Sequence, residues 1–412
     1  MMNVSPRDRE ILRGLAAEYA EAAALPVNRE KTKLWRSLNG LKPTRPLVLI
    51  YQIPWHEMNV GDELTLHCGD GYCQSVEQHL RLTLYQWRHM PGDMVLDPAL
   101  YVGLLCDPTS SYADYGIQGR ETHSASASFE PVINSLADVE KLRIPEVRVN
   151  RPETDRRLEL MSDICRGIIP VQRQGIVHQW HSPWDQMIHW YGIERLYLDM
   201  VDRPELVHAL LQRFMKALHA VVDRQVELNL LDVGTGNISV GSGGLGFTDE
   251  LPPPDFVPGR VRTKDQWGCA TAQIFSAVSP EMHWEFALQY EKPLMERYGL
   301  SYYGCCEPLQ DKIDIIRRVK NVRKISVSPM ADAASCAEQI GTGYVISLKP
   351  SPAVLAFDRW DPTVARRELE ESLAQVRGGY VEVILKDITT VRGEPQRLWE
   401  WEKIAMHAVG AL

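Results

Sequence analysis

The sequence lacks long apolar runs and dense clusters of positive charge. No apolar run of about 18 residues, the length that indicates a membrane-spanning helix, occurs in it. Its 45 Lys and Arg are outnumbered by 54 Asp and Glu, which gives a formal net charge of -9. Nucleic-acid binding depends on clustered Lys and Arg. These absences argue against a membrane protein and a nucleic-acid binder, and they favour a small molecule or another protein as the partner.

Cysteine is sparse as well, because only eight Cys are dispersed through the 412 residues. This distribution is unlike the disulfide framework of small secreted proteins, so we expect reduced thiols that serve as core residues or as ligands. Residues 1–30 are charged and amphipathic, without the uninterrupted apolar segment of a signal peptide. Together these features predict a cytoplasmic protein.

Low-complexity segments and long Gly/Ser linkers are also missing. The hydrophobic fraction of 44% and the charged fraction of 24% are ordinary for a globular protein with a large core. The clustered prolines at 252–254 lie in a loop between periodic segments. We therefore predict a single domain over residues 1–412, in which residues 1–45 form an N-terminal helical extension.

Short β-branched runs alternate with helical patterns, as expected for βαβ units around a parallel sheet. The predicted strands are Pro46–Ile53, Met94–Leu96, Ile168–Gln172, Leu230–Val240, Leu300–Tyr303, Lys324–Ser328, Tyr344–Leu348 and Val381–Leu385. The predicted helices are Val76–His89, Pro204–Leu228, Pro308–Arg318, Ala331–Ile340, Pro362–Val376 and Pro395–His407. Because eight parallel strands close a barrel, the predicted fold is α/β, a (β/α)8 TIM barrel. A doubly wound sheet is the alternative, but Leu49–Pro54 lacks the Gly-rich turn that usually follows its first strand.

The stretch Asp107–Phe129 is rich in Ser, Tyr and Gly. This composition is typical of irregular connections between periodic elements. It predicts an elaborated loop or a small hairpin at the rim of the barrel.

The phrase His178–Asp185, which reads HQWHSPWD, follows a predicted strand and opens a helix. It should therefore lie on a strand-to-helix loop, where barrel enzymes gather their functional residues. Two interpretations are open: the histidines satisfy backbone groups in a Trp-rich loop, or His178 or His181 acts as a ligand or an acid. Trp180 and Trp184 are then expected to form an aromatic wall of the pocket.

The segment Gly241–Gly246 matches the GxGxxG pattern of dinucleotide-binding loops. The residues that follow it, Phe247–Pro252, do not open a helix, so no helix N-terminus is offered to a phosphate. We interpret the segment as a mobile pocket loop, with Asp232 and Asn237 on the strand that leads into it. Trp267 begins the next predicted helical stretch and is expected to line the same pocket.

Two lysines directly follow predicted strands: Lys349 in SLKPSP and Lys386 in LKDI. A lysine at the end of a buried barrel strand lies inside the mouth more often than an ordinary surface lysine does. We expect the pair to bind a substrate carboxylate or to hold Asp387.

Several phrases, taken in order, permit a comparison with a known family. They are Met94–Val102, Pro204–Leu206, Tyr302–Leu309, Ser326–Asp332, Tyr344–Leu355 and Val381–Val391. Over roughly residues 45–410, their order and spacing resemble the uroporphyrinogen decarboxylase superfamily. This superfamily contains the haem-pathway decarboxylase and methyltransferases that work with corrinoid proteins, all on a (β/α)8 barrel. The resemblance thus implies the same fold that the strand count predicts.

The chain departs from the decarboxylase at three places. Where the decarboxylase has an Arg-rich motif that grips propionates, this chain has Trp55, His56 and Glu57. We expect these three residues to line the substrate pocket, but they cannot satisfy many anionic carboxylates. Asp97 resembles the family's pocket Asp but stands in a different phrase. The GHG-type sequence of the last strand is replaced by Leu385–Ile388. The chain is therefore nearer to the corrinoid-dependent methyltransferases.

Those methyltransferases carry a His-x-Cys phrase on the strand that here ends in Tyr303–Cys306. Cys306, or less closely Cys305, resembles the family's first Cys, whereas the His is missing. Because adjacent side chains on a strand point to opposite faces, we expect only one of the two to look into the barrel. The resemblance implies Zn²⁺ with one open position, held by Cys306 together with Glu285, Glu307 or Asp387.

The leading hypothesis is a methyltransferase that moves a methyl group from an O-, N- or S-methylated small molecule to the corrinoid of a partner protein. A metal ion or a protonated acid would withdraw electron density from the donor heteroatom so that Co(I) attacks the methyl carbon. The catalytic candidates are Asp97, His178, His181, Lys349 and Lys386. No corrinoid-binding domain is visible in the sequence, and the resemblance implies a homodimer.

Two alternatives come from other functional classes. The first is a metal-free decarboxylase or lyase, in which Asp97 and a strand-end lysine stabilise a protonated intermediate. The second is a ligand-binding relative that has lost catalysis, because three family motifs are altered.

Overall fold

The computed structural model describes residues 4–122 and 128–410. In this part of the chain the strands are β1 (Leu47–Ile50), β2 (Leu100–Gly103), β3 (Cys106–Asp107), β4 (Arg120–Thr122), β5 (Ser128–Glu130), β6 (Arg148–Val149), β7 (Val171–Gln174), β8 (Trp267–Ala270), β9 (Leu300–Tyr303), β10 (Val322–Val327), β11 (Val345–Leu348) and β12 (Tyr380–Leu385). The helices are α1 (Pro6–Ala23), α2 (Pro26–Asn39), α3 (Gly71–His89), α4 (Leu136–Val139), α5 (Arg151–Ile164), α6 (Pro183–Tyr191), α7 (Ile193–Asp202), α8 (Pro204–Glu227), α9 (Pro280–His283), α10 (Gln289–Met295), α11 (Ile313–Ile316), α12 (Ala333–Ile340), α13 (Pro362–Gln375) and α14 (Gln396–Ala408). A π-helical turn, Trp284–Leu288, joins α9 to α10.

The chain divides into two compact units. Unit 1 contains Met1–Gly103, Arg151–Gln174 and Val345–Leu412, and unit 2 contains Leu104–Asn150 and Gly175–Tyr344. Compactness does not show that either unit folds alone, so the single domain stays a prediction.

Unit 1 contains three parallel strands in the order β1–β12–β11. Leu47 faces Glu382 across the first pair, and Val345 faces Tyr380 across the second. All four residues of β1 and of β11 are buried, as expected of strands that are covered on both faces. Helices α13 and α14 pack on each other in the same unit.

The N-terminal extension is helical, as predicted, but it consists of two helices. Ser5 caps α1, because its side chain accepts a hydrogen bond from the Asp8 N–H, and Pro26 opens α2. Helix α1 packs against α3 in an apolar cluster that includes Leu12, Ala16, Leu80, Leu84 and Ile164. The extension is therefore part of the core of unit 1.

Unit 2 contains three parallel strands in the order β10–β9–β8. Trp267 faces Leu300 and Cys269 faces Tyr302. The long helix α8 buries one apolar stripe, as its amphipathic sequence predicts. That stripe joins a large core cluster whose biggest side chains are Trp184, Trp190, Phe214 and Phe275.

Two strand predictions were wrong. The segment Leu230–Val240 forms no strand and makes only single bridges, Ile176 to Leu231 and Ser239 to Leu245. A side chain at Gly234 would stand 2.0 Å from the carbonyl oxygen of Val177, so this position serves a close approach of two backbone segments. Met94–Leu96 is likewise not a strand, and β2 lies a few residues later.

Trp267 lies in a buried strand, β8, and does not begin a helix as predicted. Only a short helix, α11, occurs within the predicted helix Pro308–Arg318. The hairpin predicted within Asp107–Phe129 is observed as the antiparallel pair β4 and β5, although residues 123–127 lie outside the described part of the chain. The other predicted strands and helices overlap the observed ones.

The α/β class is thus confirmed by interspersed helices and parallel strands. The parallel strands are β1, β12 and β11 together with the pair β2–β7 in unit 1, and β10, β9 and β8 in unit 2. The closed barrel stays a prediction. Within the described ranges, no helix combines the length and the apolar character needed to cross a membrane.

Candidate active site

The carboxyl ends of β8 and β9 lie side by side in unit 2, because Ala270 pairs with Tyr303. This is the end of parallel strands at which α/β enzymes place their functional groups. The segment 271–273 follows β8 and the segment 304–307 follows β9. Most of the polar side chains described next belong to these two segments.

Glu307 is fully buried and holds the two segments together. Its Oε1 atom accepts hydrogen bonds from the Thr271 hydroxyl (2.9 Å) and the Ala272 N–H (3.3 Å). Its Oε2 atom accepts from the Cys305 N–H (2.8 Å). Both carboxylate oxygens are therefore engaged inside the protein, and Glu307 acts as a clamp between strand ends rather than as an available metal ligand.

The thiols of Cys305 and Cys306 converge, with 3.5 Å between their Sγ atoms. Strand alternation, from which we expected only one of the two to look into the barrel, does not extend to them, because β9 ends at Tyr303; the expectation itself stays a prediction. Gly304 has φ +97 and turns the backbone just before the pair. Cys305 is buried and Cys306 is exposed.

Asp185, in the first turn of α6, lies close to the same strand ends. Its Oδ2 atom accepts hydrogen bonds from the Gln273 side-chain amide (2.9 Å) and the Tyr112 hydroxyl (3.2 Å). Burial, the negative charge of Asp185 and the nearby Cys305 raise the pKa of Tyr112 well above its usual value. Asp185 is therefore a shared acceptor that orients an amide and a phenol beside the thiol pair.

We call these residues the strand-end cluster. It consists of Tyr112, Asp185, Gln273, Cys305, Cys306 and Glu307. Tyr112 is 42% exposed, and Cys306 is also exposed, so a small molecule can reach the cluster from solvent. It offers a carboxylate, an amide, a phenol and a thiol, which can bind a polar small molecule and orient it for reaction.

Behind this cluster lies a buried polar triad. The Nε2 atom of His283 is 2.6 Å from the Tyr303 hydroxyl, which is 3.2 Å from Oε2 of Glu291. Burial raises the pKa of Glu291 to about 8 and lowers that of His283 to about 3. At neutral pH both are therefore mainly uncharged, which reduces the free-energy penalty of their burial. The π-helical turn lies between these two residues in sequence.

We define the histidine loop as His178–Trp184. The Nε2 atom of His178 accepts a hydrogen bond from the Gly241 N–H (3.0 Å), so its Nδ1 carries the proton that reaches the Trp267 carbonyl (3.2 Å). Removal from water lowers the pKa of His178 to about 4. These contacts match the first interpretation of the loop, in which the histidine satisfies backbone groups.

His181 is buried, and its Nε2 atom lies 2.8 Å from the Tyr298 hydroxyl. Burial lowers its pKa to about 3, so the ring is neutral at pH 7. A general acid must carry a proton near the working pH. The contacts of this ring give no support to the predicted role as an acid, which stays a prediction.

The tryptophans predicted to line a pocket are mainly core residues. Trp184 is fully buried and donates from Nε1 to the Phe286 carbonyl (2.9 Å). Trp267 is also fully buried and donates to the Gly246 carbonyl (2.9 Å). Trp180 is half-buried and packs against the cluster around Trp267. The full burial of Trp184 argues against its place in an aromatic wall, and that of Trp267 argues against its predicted place in the pocket lining.

Asp232 and Asn237 lie on the segment that was predicted as a strand. The Asp232 carboxylate accepts from the Val233 N–H (2.8 Å) and the Gly175 N–H (3.2 Å), which fixes the local turn. Asn237 is half-buried. A binding role for either residue stays a prediction.

The predicted metal ligands have other contacts. Glu285 is half-exposed and its Oε1 atom lies 3.2 Å from Nε2 of His208. In unit 1, Asp387 forms an ion pair with Lys386, 2.6 Å between Oδ2 and Nζ. In the described part of the chain, no three His, Cys, Asp or Glu side chains are grouped so that they could hold a metal ion. The predicted zinc ligand set therefore does not fit the side-chain arrangement.

Other predicted residues of unit 1 occupy varied positions. Glu57 accepts from the backbone N–H groups of Val391 (2.8 Å) and Gly393 (2.9 Å). Burial opposes its ionisation, but these and other hydrogen bonds lower its pKa overall. Trp55 meets Tyr85 edge to face, with ring centroids 5.9 Å apart. Glu57 thus stabilises a loop, in contrast to the predicted substrate contact.

His56, Asp97 and the two lysines complete the predicted set. His56 has a strongly exposed side chain. Burial raises the pKa of Asp97 to about 6. Lys349 and Lys386 are 3% and 6% exposed, and their predicted place in the mouth of a pocket stays a prediction. The predicted contact between Lys386 and Asp387 is observed.

Several members of the strand-end cluster were not predicted as functional residues. Asp185 belongs to the HQWHSPWD motif, but the prediction for that motif rested on its histidines. Gln273 was assigned to a helical stretch, and Tyr112 lies far away in sequence within an irregular segment. The polar residues that directly follow a strand provided the only usable signal, and it requires β8 to be recognised as a strand.

Comparisons with known proteins identify a related fold. No family model matches the chain, and no curated protein matches it. Among solved structures, the chain is similar to a methyltransferase from Methanosarcina mazei, with 12% sequence identity and a TM-score of 0.51. The match covers 92% of this chain and 98% of that chain. The chain therefore shares its α/β fold with that methyltransferase over nearly its whole length.

Proposed function

We propose that the chain is a methyltransferase that takes a methyl group from an O-, N- or S-methylated small molecule and passes it to the corrinoid of a partner protein. The observation that carries this proposal is the near full-length similarity to a methyltransferase fold, at 92% coverage of this chain. The strand-end cluster adds support, because an accessible polar group lies where such folds place their chemistry.

The proposal includes membership of the uroporphyrinogen decarboxylase superfamily, a (β/α)8 barrel, a cytoplasmic location and a homodimer. The sequence resemblance supports the superfamily, the barrel and the homodimer. The composition of the sequence supports the cytoplasmic location. Zinc remains part of the expectation for the family, although the predicted ligands do not form a site among the described residues.

The residues of this chain supply binding and orientation. Both hydrogen bonds that Asp185 accepts are made to Oδ2, and Oδ1 takes part in neither. Its carboxylate would receive an N–H group or a positive charge of the methyl donor. The Tyr112 ring would lie against the donor, and Gln273 would keep the carboxylate in place. Alignment of this kind contributes to rate by removing orientational freedom before the reaction.

The experiment measures methyl transfer to free cob(I)alamin as a surrogate for the corrinoid protein. Purified chain is incubated with the reduced cobalamin and with individual O-, N- and S-methylated donors. We expect formation of methylcobalamin, detected by absorbance, together with loss of the methyl group from one donor class, detected by mass spectrometry. No transfer from any class with free cobalamin or with a corrinoid protein would refute the proposal.

A matched pair of variants tests the site. Asp185→Asn should lower kcat/KM by about 100-fold, because it removes the charge that orients donor, amide and phenol. Glu338→Gln changes an exposed carboxylate outside the cluster and should leave the rate unchanged. Equal rates for both variants would remove the strand-end cluster from the mechanism, without affecting the proposal that the chain transfers methyl groups.

A decarboxylase or lyase is the second candidate, favoured by one observation in unit 1. Asp97 has a pKa raised to about 6 by burial, and Lys349 and Lys386 are buried. Asp97 could exchange a proton with an intermediate near neutral pH. Release of CO₂ from a porphyrinogen, abolished by Asp97→Asn and accompanied by no methyl transfer, would favour this candidate.

A further inference from the structure

The adjacent cysteines after β9 differ from every other cysteine in their surroundings. Cys306 is exposed, and its Sγ atom lies 3.5 Å from that of the buried Cys305. A disulfide has an S–S distance of about 2.05 Å, so closure requires an approach of about 1.5 Å. The Cα atoms of adjacent residues lie about 3.8 Å apart, closer than in most disulfides, so closure forms a strained eight-membered ring that is easily reduced again.

The backbone around the pair is already shaped for close thiols. Gly304, at φ +97, ends the extended conformation. The Cys305 N–H donates to Glu307, and the Cys305 carbonyl accepts from the Ser326 hydroxyl (2.7 Å). These contacts hold the backbone of Cys305 in place. Its thiol therefore lies beside Cys306 on a backbone that is fixed by hydrogen bonds.

The remaining cysteines lack this combination of access and a neighbouring thiol. Burial raises the pKa of several of their thiols to about 11 or 12, in Cys68, Cys73, Cys165, Cys269 and Cys336. A thiol must be deprotonated and accessible to attack a disulfide. Cys106 is half-buried and lies on β3. Any reaction with a dissolved oxidant should therefore begin at Cys306.

We infer that Cys305 and Cys306 form a redox-modification site, a vicinal dithiol that closes reversibly to a disulfide with a low-molecular-weight disulfide as oxidant. This site goes beyond methyl transfer and does not depend on it. Cys306 acts as the entry thiol, and Cys305 acts as the resolving thiol.

The reaction proceeds by two thiol–disulfide exchanges. The Cys306 thiolate, after loss of its proton to water, attacks the small disulfide and releases one small thiolate. A mixed disulfide then joins Cys306 to the other half. The Cys305 thiolate attacks the Cys306 sulfur, the S–S bond of the mixed disulfide breaks, and the second small thiolate leaves. In total, two protein thiols are oxidised and one small disulfide is reduced to two thiols.

The test exposes the reduced full-length chain to oxidised glutathione, blocks the remaining thiols with iodoacetamide and measures intact and peptide masses. The wild type should lose two hydrogens and two alkylatable thiols at Cys305 and Cys306 without retaining glutathione. Reduction with dithiothreitol should restore both thiols. A stable glutathione adduct on wild-type Cys306, or no reaction there, would overturn the inference.

Three variants separate the roles of the two thiols. Cys305→Ser should retain one glutathione on Cys306, because no resolving thiol remains. Cys306→Ser should react at least about tenfold more slowly at position 305, since the entry thiol is gone. Cys106→Ser, the control, should behave as the wild type. Rapid modification of Cys305 in the Cys306→Ser protein would contradict the proposed order.

A second probe keeps the inference testable if a variant folds poorly. Phenylarsine oxide binds two neighbouring thiols at once, and it should protect both Cys305 and Cys306 of the wild type from alkylation. Circular dichroism of each variant checks folding independently. Failure of the arsenical to protect the pair would show that the two sulfurs do not act together in solution.

Discussion

The histidine loop and the strand-end cluster both combine aromatic, polar and ionisable side chains, and both belong to unit 2. In the histidine loop, His181 and Trp184 are buried, and His178 uses both ring nitrogens within the protein. In the strand-end cluster, Tyr112 and Cys306 reach solvent. Similar residue types therefore serve packing in one region and remain available for chemistry in the other.

This difference arises from which elements enclose each region. The histidine loop is enclosed by the Gly241 segment, by β8 and by the residues on either side of α10. These elements supply hydrogen-bond partners at Trp267, Tyr298 and Phe286. In the strand-end cluster, Glu307 and Asp185 accept hydrogen bonds inside the protein, whereas Tyr112 and Cys306 stay exposed. Residue type alone cannot separate the two regions, whereas exposure and hydrogen-bond partners can.

The largest effect should follow from removing the buried tryptophan beside the loop. Trp184→Ala should lower the free energy of unfolding by about 3–5 kcal/mol, because it leaves a cavity in the unit 2 core and loses the hydrogen bond to Phe286. Urea unfolding followed by circular dichroism measures the change. A loss below about 1 kcal/mol would mean that the histidine loop is less tightly packed in the core than its contacts indicate.

Removal of the clamp within the strand-end cluster should come next. Glu307→Ala should cost about 3 kcal/mol, because it leaves the Thr271 hydroxyl and two backbone N–H groups without an acceptor. Glu285→Ala, at a half-exposed carboxylate on the same unit, should change the free energy of unfolding by less than about 0.5 kcal/mol. Equal changes in the free energy of unfolding would show that Glu307 stabilises the fold no more than the surface carboxylate Glu285 does.

The pH dependence of stability tests the burial of His181. Its pKa is lowered from 6.5 to about 3 on folding, so the unfolded chain binds the proton more readily. Its contribution is complete above pH 6.5 and is lost progressively as the pH falls toward 3. At pH 5.5 the loss should be about 1 kcal/mol.

A comparison of urea midpoints between pH 7.5 and 5.5, for the wild type and His181→Gln, measures this contribution. The variant should show a shallower decline, because glutamine does not titrate. If stability declines equally in the two proteins, the ring is protonated in the folded state. The histidine loop would then be a candidate for acid catalysis again.

The smallest effect on stability is expected at the exposed edge of the strand-end cluster. Tyr112→Phe should change the free energy of unfolding by less than about 0.5 kcal/mol, because the ring is 42% exposed and only its hydroxyl is lost. Its effect should instead appear in methyl transfer, as a rise in KM. A large loss of stability with unchanged kinetics would place Tyr112 with the structural residues of the histidine loop.

The sequence predicted the fold best where apolar, β-branched runs were bounded by clear breaks. Leu300–Tyr303 was predicted with its observed bounds, and Val345–Leu348 within one residue. It failed at β8, because Trp-Gly-Cys-Ala carries little strand propensity and is a strand through its neighbours. It also failed at Leu230–Val240, which was predicted as a strand but makes only single bridges, and where Gly234 serves a close approach to the backbone of Val177.

The candidate site was predictable only in part. Glu307 and the cysteine pair were found because they directly follow a predicted strand. Tyr112, Asp185 and Gln273 come together from separate parts of the chain, so no local pattern reports their contact. The predicted zinc ligands are not grouped among the described residues, and their role stays a prediction, since ligand geometry depends on distances that sequence spacing does not give.

By itself, the sequence determined the α/β class, the amphipathic helices and the position of a thiol-bearing strand end, because these follow from local periodicity and breaks in the chain. Only the tertiary structure decided that the two histidines are internal, that Glu307 is a clamp and that the adjacent thiols converge. The physical reason is that burial and hydrogen-bond partners arise between segments far apart in sequence. The same side chain can therefore be a packed support or a reactive group, depending on what the fold places around it.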